Sequence, residues 1–203
     1  LSNANNEAGW SGDIVLTEGK LSINHDDALS SGSLLFNGGR LGATASTTID
    51  NAISMGVNGG SNGNGTIDVD AGVALTLSAT SFGGGGGQLE KLGEGTLVLG
   101  MTSANQNVGH RLTAGTLEFT NPGGALSSSN TLILNGGTLS LSSGTLAAEI
   151  SVENDSFITA SGDAIISGSL SGSANLTKTG SAQLTLTGNN FSFDGAITIS
   201  AGS

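Results

Sequence analysis

The side chains that could perform acid–base or nucleophilic chemistry are few and scattered. His25 and His110 are the only histidines, and they lie 85 residues apart (110 − 25). A Ser–His–Asp triad needs a histidine that is oriented by a carboxylate, and the residues around these two histidines suggest no such arrangement. We therefore predict no catalytic residues, no cofactor and no enzymatic activity.

Asp68 and Asp70 are the candidates for a metal site. They lie two residues apart in a strand-like stretch, so both side chains point to one face and could form a calcium site. The nearby residues 59–65 are similar to calcium-binding nonapeptide repeats, but they lack the Gly-Gly-x-Gly-x-Asp order. A solvated strand face explains the two aspartates without a metal, and we predict no metal site. The acidic residues of 26–27 and 153–155 lie in turn-like stretches and need no ligand.

Two lysines occupy equivalent positions of a phrase that occurs twice. Residues 88–99 read QLEKLGEGTLVL, and residues 175–186 read NLTKTGSAQLTL. Five positions agree at an offset of 87 (178 − 91 for the lysines). An active site is rarely duplicated with its variable positions freely changed, so we interpret the shared positions as structural. These repeat-signature residues are Leu89, Lys91, Gly93, Leu97 and Leu99, and Leu176, Lys178, Gly180, Leu184 and Leu186.

Composition and charge limit the possible partners. The 203 residues include 35 Gly, 1 Pro and no Cys, so the chain has no disulfide and no thiol chemistry. Five basic residues against sixteen acidic ones give a net charge of −11, which disfavours nucleic acid and anionic membranes as partners. No stretch approaches the roughly 18–20 apolar residues of a membrane-spanning helix. We predict that the chain is not embedded in a membrane.

Further recurrences divide the chain into long repeats. Residues 115–119 match residues 19–23 at an offset of 96, and residues 195–202 match residues 12–19 at an offset of 183. The insertions between matches fall in polar turns and leave the strands intact. We predict one continuous segment over 1–203, with long repeats at approximately 12–107 and 108–194 and the start of a third at 195–203.

Short alternating runs of apolar residues between Gly, Asn and Ser turns predict many strands and almost no helix. Asn-Gly-Gly turns are compatible with hairpins, and a sandwich or barrel would also bury one face of each strand. A stacked solenoid in addition requires sequence repetition. Apolar positions recur at about one coil, from Leu21 to Leu41 (20 residues) and from Leu117 to Leu139 (22 residues). We predict an all-β, right-handed parallel β-helix of roughly eight to ten coils. The glycines of 83–87 fit a turn or bulge, because no Gly-Lys-Ser/Thr follows them to form a phosphate loop.

The phrase at 89–99, followed by Arg111-Leu-Thr-Ala-Gly-Thr-Leu117, resembles the autotransporter-associated β-strand repeat, also called the passenger-associated transport repeat. The copy at 176–203 keeps the Lys, Gly and Leu positions of that family, but has Ala182-Gln183 where the family has Gly-Thr. The first copy lacks the family's Gly-Asn-x-Tyr step. The resemblance implies a β-helical passenger of a bacterial surface or secreted protein, in which the repeat aids export and folding. It implies no substrate.

These observations favour a structural, non-catalytic segment of a larger secreted or surface-displayed bacterial protein. Its role would be that of a stalk, an adhesin or an extracellular fibre in adhesion or biofilm formation. The alternative is a carbohydrate-active β-helix enzyme or a carbohydrate-binding adhesin. Because β-helix ends expose unpaired strand edges, we expect self-association end to end or laterally. A cell-surface component or a polysaccharide is the expected external target.

Overall fold

A computed structural model describes residues 10–56, 63–78, 82–83, 86–100 and 108–203. Within these residues the chain forms strands that pair in parallel with the strands one coil before and one coil after. Most coils contribute strands to three faces in turn, so the fold is an all-β parallel solenoid, as the sequence predicts.

The second face of each coil forms a nine-stranded sheet that runs the length of the molecule. Its strands are β2 (Lys20–Ile23), β4 (Arg40–Ala43), β7 (Gly65–Val69), β10 (Gln88–Leu92), β12 (Gly109–Leu112), β14 (Thr131–Asn135), β17 (Glu149–Asn154), β20 (Leu170–Gly172) and β23 (Ser192–Phe193). From β2 to β23 the chain completes eight turns. This number lies within the predicted range of eight to ten coils.

The third face of each coil forms an eight-stranded sheet. Its strands are β5 (Thr47–Ile49), β8 (Ala74–Leu77), β11 (Thr96–Leu99), β13 (Thr116–Phe119), β15 (Thr138–Leu141), β18 (Ser156–Ala160), β21 (Leu176–Thr179) and β24 (Ile197–Ile199). In the first coil this face holds a single 3₁₀ turn, Asp26–Ala28, in place of a strand.

The strands on the first face form two separate sheets along the axis. A four-stranded sheet comprises β1 (Ile14–Leu16), β3 (Leu34–Phe36), β6 (Ile53–Met55) and β9 (Phe82–Gly83), and a three-stranded sheet comprises β16 (Gly144–Leu146), β19 (Ala164–Ile166) and β22 (Leu184–Leu186). A one-turn helix, α1 (Pro122–Ala125), lies between them in chain order and contacts β16. No helix in the described ranges is long and apolar enough to cross a membrane.

Inward-facing leucines and isoleucines stack in files along the axis. Leu21 pairs in register with Leu41, and Leu117 pairs with Leu139. The sequence spacing of these same two pairs predicts the coil length. Alternate residues of most strands are buried, and each file thereby removes apolar surface from water in every coil. The parallel pairing excludes the hairpin alternative for the Asn-Gly-Gly turns, because hairpin strands are antiparallel.

Side chains at the corners bond to the backbone of the next coil. Asp155 Oδ1 accepts from the backbone N–H of Asn175 at 2.8 Å, and Asn175 Oδ1 accepts from that of Ala196 at 3.1 Å. Asn64 Oδ1 accepts from Gln88 N–H at 3.0 Å in the same way. These bonds satisfy backbone donors at strand starts, where the ladder has no other acceptor.

The two copies of the repeated phrase lie at different corners of the solenoid. The first copy runs through β10 and β11, and thus turns from the nine-stranded to the eight-stranded sheet. The second copy runs through β21 and β22, and thus turns from the eight-stranded to the three-stranded sheet. The phrase therefore specifies a strand–corner–strand unit, which can be placed on more than one face.

Candidate functional site

The first copy of the repeat places a lysine inside the rod. Lys91 points inward from β10, and only 1% of its surface is exposed. Gly93, at φ +74°, turns the chain directly after the strand. The side chain of Lys91 bends into this corner, and Nζ donates to the carbonyl oxygens of Leu92 at 2.7 Å, Gly93 at 2.7 Å and Ala114 at 3.2 Å.

The second copy repeats this arrangement at its own corner. Lys178 is 2% exposed, and Gly180 turns the chain at φ +76°. Nζ of Lys178 donates to the carbonyl oxygens of Thr179 at 2.8 Å, Gly180 at 2.9 Å and Ala201 at 3.0 Å. We call each set of one ammonium and three carbonyls a lysine clasp.

Each clasp joins two coils. Two of its acceptors belong to the lysine's own corner, and the third lies 23 residues further along the chain, in the next coil. An ammonium has three N–H donors and no acceptor, so the three carbonyls match its full bonding capacity. The clasp is therefore a complete polar site that holds consecutive coils in register.

Burial sets the electrostatics of the first clasp. Loss of water lowers the pKa of Lys91 to about 8, while the charges of Asp68 and Glu94 oppose this shift. An amine of lowered pKa is a candidate nucleophile or base only where a substrate can reach it. Here Nζ is enclosed by backbone, so the arrangement favours a structural role for the lysine.

The other signature residues line the core around the clasps. Leu89, Leu97 and Leu99 are buried, and so is Leu176. Leu184 and Leu186 are only half-buried and pack against the core from the last coil. The three acceptors of each clasp are backbone groups, so no residue type reveals them in the sequence. The 87-residue offset does relate the two distal acceptors, since 114 + 87 = 201.

The structure does not bring the two histidines together. His25 begins the 3₁₀ turn of the first coil, where Nδ1 accepts from the backbone N–H of Asp27 at 3.2 Å. His110 points into the core from β12, with its ring edge-on to Phe82 at 5.6 Å between centroids. Burial lowers the pKa of His110 to about 4. Its Nε2 is buried and has no hydrogen-bond partner among the residues that the structure describes, so the neutral ring behaves as a core residue.

The two calcium candidates have different surroundings. Asp68 lies on the outer face of β7, where its Oδ2 contacts Lys20 Nζ at 2.9 Å and Arg40 Nη1 at 3.4 Å. The hydrogen bond from Lys20 holds the pKa of Asp68 below its usual value. Asp70 is exposed in the turn that follows. Two cations on Asp68 compete with a metal ion for that carboxylate, and residues 59–62 of the adjacent Gly/Asn stretch lie outside the described residues.

A shallow acidic cavity was not predicted from the sequence. It measures about 270 Å³ and is lined in part by Asp26, Asp27, Asp50 and Asn51. Hydrogen bonds from Thr47 Oγ1 and from the backbone N–H of Thr48 lower the pKa of Asp26. No group of three or more potential metal-ligating side chains is formed by the described part of the chain. The carboxylate of Asp26 thus caps a strand of the next coil, which is the corner chemistry found elsewhere in the rod.

Comparison with known families matches the two clasp regions. The passenger-associated-transport-repeat family matches residues 89–119 and 176–203. Each match begins at the leucine two residues before the clasp lysine and extends beyond the distal carbonyl. These two stretches of the chain are similar to passenger-associated transport repeats. Each of them contains one lysine together with all three of its acceptors.

The chain is also similar to the "Adhesin BmaC autotransporter" of Brucella suis biovar 1 (strain 1330). The two are 34% identical over 113 residues, which cover 55% of this chain. The same alignment spans 3% of the much longer adhesin. No solved structure matches the chain.

Proposed function

We propose that the chain is a structural, non-catalytic segment of a secreted or surface-displayed, adhesin-like passenger. One observation carries the proposal: both repeat copies use their lysine inside the rod, to couple coils. The likeness to an autotransporter adhesin supports display outside the cell. The segment 1–203 would then contribute length and rigidity to a β-helical stalk.

The test is to display the 203-residue chain on bacteria, between an N-terminal epitope tag and a heterologous surface anchor. We expect antibody to label the tag on intact cells, and the chain to resist added proteinase K. A Lys91→Met/Lys178→Met variant should be displayed but digested faster. A displayed wild-type chain that is digested as fast as this variant would contradict a rigid stalk.

The same cells distinguish a stalk from the alternatives. A structural segment predicts adhesion to epithelial monolayers equal to that of cells carrying only the anchor. Adhesion above this level would assign target binding to the segment itself. Release of reducing ends from pectin or cellulose by the purified chain would contradict a non-catalytic role.

We further propose that the 203-residue chain, taken by itself, associates with a second copy of itself through the edge strands of its last coil. Ile197 and Ile199 face inward but are 44% and 54% exposed, whereas Ile14 and Leu16 of the first coil are 8% and 7% exposed. Apolar, unpaired strand edges favour pairing with another chain. Sedimentation velocity of the wild type and of Ile199→Asp tests this. We expect the variant to stay monomeric at concentrations where the wild type dimerises, and a monomeric wild type at millimolar concentration would refute the proposal.

A further inference from the structure

The outer face of the eight-stranded sheet carries two columns in which most residues bear a hydroxyl group. Each strand from β8 to β21 presents two outward side chains, and the parallel register places each above its counterpart in the preceding coil. The first column contains Ala74, Thr96, Thr116, Thr138, Phe157, Thr177 and Thr198. The second contains Thr48, Thr76, Val98, Glu118, Ser140, Thr159 and Thr179. We call these two columns the threonine face.

Strand geometry makes the threonine face a regular grid. Neighbouring strands lie about 4.8 Å apart, and alternate residues of a strand are separated by about 6.6 Å. The strand pairs of this sheet run in continuous register. In the nine-stranded sheet, by contrast, the register shifts between Leu134 and Asn135. The hydroxyls therefore repeat in two directions over a strip about 25–30 Å long.

General strand propensity does not account for this pattern. Threonine favours any half-exposed strand position, so it should be equally common on the outer face of the nine-stranded sheet. The outward column that begins at Lys20 on that sheet contains a single threonine. Its members are Lys20, Arg40, Thr66, Glu90, Arg111, Ile133, Ser151, Ser171 and Ser192. The threonines are thus concentrated on one of two faces of similar geometry.

The hydroxyls of the threonine face are rigid and available. Threonine is stiff at χ1 because it is branched at Cβ, so its hydroxyl and methyl groups keep fixed directions. The side chains of Thr96, Thr116, Thr138 and Thr177 are half-buried between their neighbours and make no side-chain hydrogen bond within the described protein. Each hydroxyl can both donate and accept a bond from outside.

The chemistry of the threonine face favours one class of partner. Protein interfaces depend on aromatic and arginine anchors, and this face has one aromatic residue, Phe157, and one charged residue, Glu118. A rigid, nearly uncharged grid that can donate and accept at most of its points complements a lattice with the same properties. We propose that the threonine face binds ice, whose surface is a periodic array of hydrogen-bond donors and acceptors. This inference is independent of the stalk function.

The test is ice-crystal growth in a nanolitre osmometer with the purified chain. We expect the wild type to shape crystals and to give a gap between melting and freezing temperatures. Thr138→Lys places a long cation at the centre of the face and should abolish the gap. Ser151→Lys is the matched control, because Ser151 is an outward residue of the nine-stranded sheet, and it should retain the wild-type gap.

A gain-of-function variant makes the test two-sided. Glu118→Thr/Phe157→Thr removes the charged and aromatic interruptions and should widen the gap, with melting curves confirming that all variants remain folded. Crystals that grow as in buffer with both the wild type and this double variant would overturn the proposal. An equal loss of the temperature gap in Thr138→Lys and Ser151→Lys would also overturn it. The proposal would likewise fail if Thr138→Lys changed only the oligomeric state of the chain and had no effect on ice growth. The last result would assign the face to contact between copies.

Discussion

A buried lysine destabilises a protein unless its ammonium finds polar partners to replace water. Lys91 and Lys178 each find three, all of them backbone carbonyls that a corner leaves without a strand partner. The carbonyls thus replace water around the ammonium, and the ammonium supplies the carbonyls with a hydrogen-bond donor. The family pattern of a lysine two residues before a glycine follows from this geometry, because the glycine turns its carbonyl back toward the strand end.

Lys91→Met should destabilise the chain by about 2–4 kcal/mol, because it preserves the volume but leaves three carbonyls without their charged donor. Urea titration followed by circular dichroism measures the loss. Lys20→Met is the matched control, since Lys20 makes a partly exposed ion pair with Asp68, and it should cost at most about 1 kcal/mol. Equal losses in the two variants would refute the clasp as a stabilising site.

His110 should make the stability depend on pH. Its pKa is about 4 in the folded chain against an ordinary value of 6.5, so between these values the unfolded chain binds a proton that the folded chain does not. Its contribution is therefore complete above pH 6.5 and is lost as the pH falls toward 4, by up to about 3 kcal/mol. Burial is the main cause of the lowered pKa, and the hydrogen bond to the carbonyl oxygen of Val108 opposes it.

The measurement for His110 is the urea midpoint of the wild type and of His110→Phe between pH 7 and 4.5. The difference between the two proteins should change in favour of the variant as the pH falls. Parallel pH profiles would show that the buried ring is not the source of the acid sensitivity.

At the scale of elements, corners limit which residues can follow a strand. Gly168 lies so close to the coil beneath it that an added Cβ would meet the carbonyl oxygen of Ala148 at 1.8 Å, and Gly188 stands over Gly168 in the same way at 2.0 Å. Stacked glycines at one corner therefore allow coils to approach where side chains would keep them apart.

Gly168→Ala should destabilise the chain by about 1–3 kcal/mol, because backbone must move to admit the methyl group. Gly83→Ala serves as the control, since its added Cβ would come no closer than 3.6 Å to a neighbouring atom. In thermal melting, Gly168→Ala should have a clearly lower melting temperature than Gly83→Ala. A Gly168→Ala protein that melts with the control would mean that this corner has more room than the contact implies.

The sequence predicts the strands and the coil length, but it does not predict which groups the strands bring together. Leu21 with Leu41 and Leu117 with Leu139 give the coil length, because a core file repeats a residue type that can be read from the chain. The acceptors of the clasps cannot be read, because carbonyls belong to every residue. The face on which a strand lies is equally hidden, since β10 and β21 have the same local pattern but belong to different sheets. The threonine face likewise emerges only when the register is known.

At the scale of the whole molecule, contacts run almost only between neighbouring coils, as in other solenoids. Stability is then a sum of local terms, and damage should stay local. We predict that Lys91→Met accelerates amide hydrogen exchange in β10 to β13 and leaves β21 to β24 protected. Lys178→Met should give the reciprocal pattern. Uniform acceleration along the chain in both variants would instead indicate a single cooperative unit.

The placement of the clasps has a mechanical consequence. The 87 residues from Lys91 to Lys178 span four coils and one additional face, so the second clasp is offset around the axis from the first. If the repeat length were a whole number of coils, all clasps would lie along one edge of the rod. The other two edges would have no clasps, and the rod would bend more easily there. An array that keeps the observed offset distributes its clasps around the circumference. Such a rod resists bending similarly in every direction.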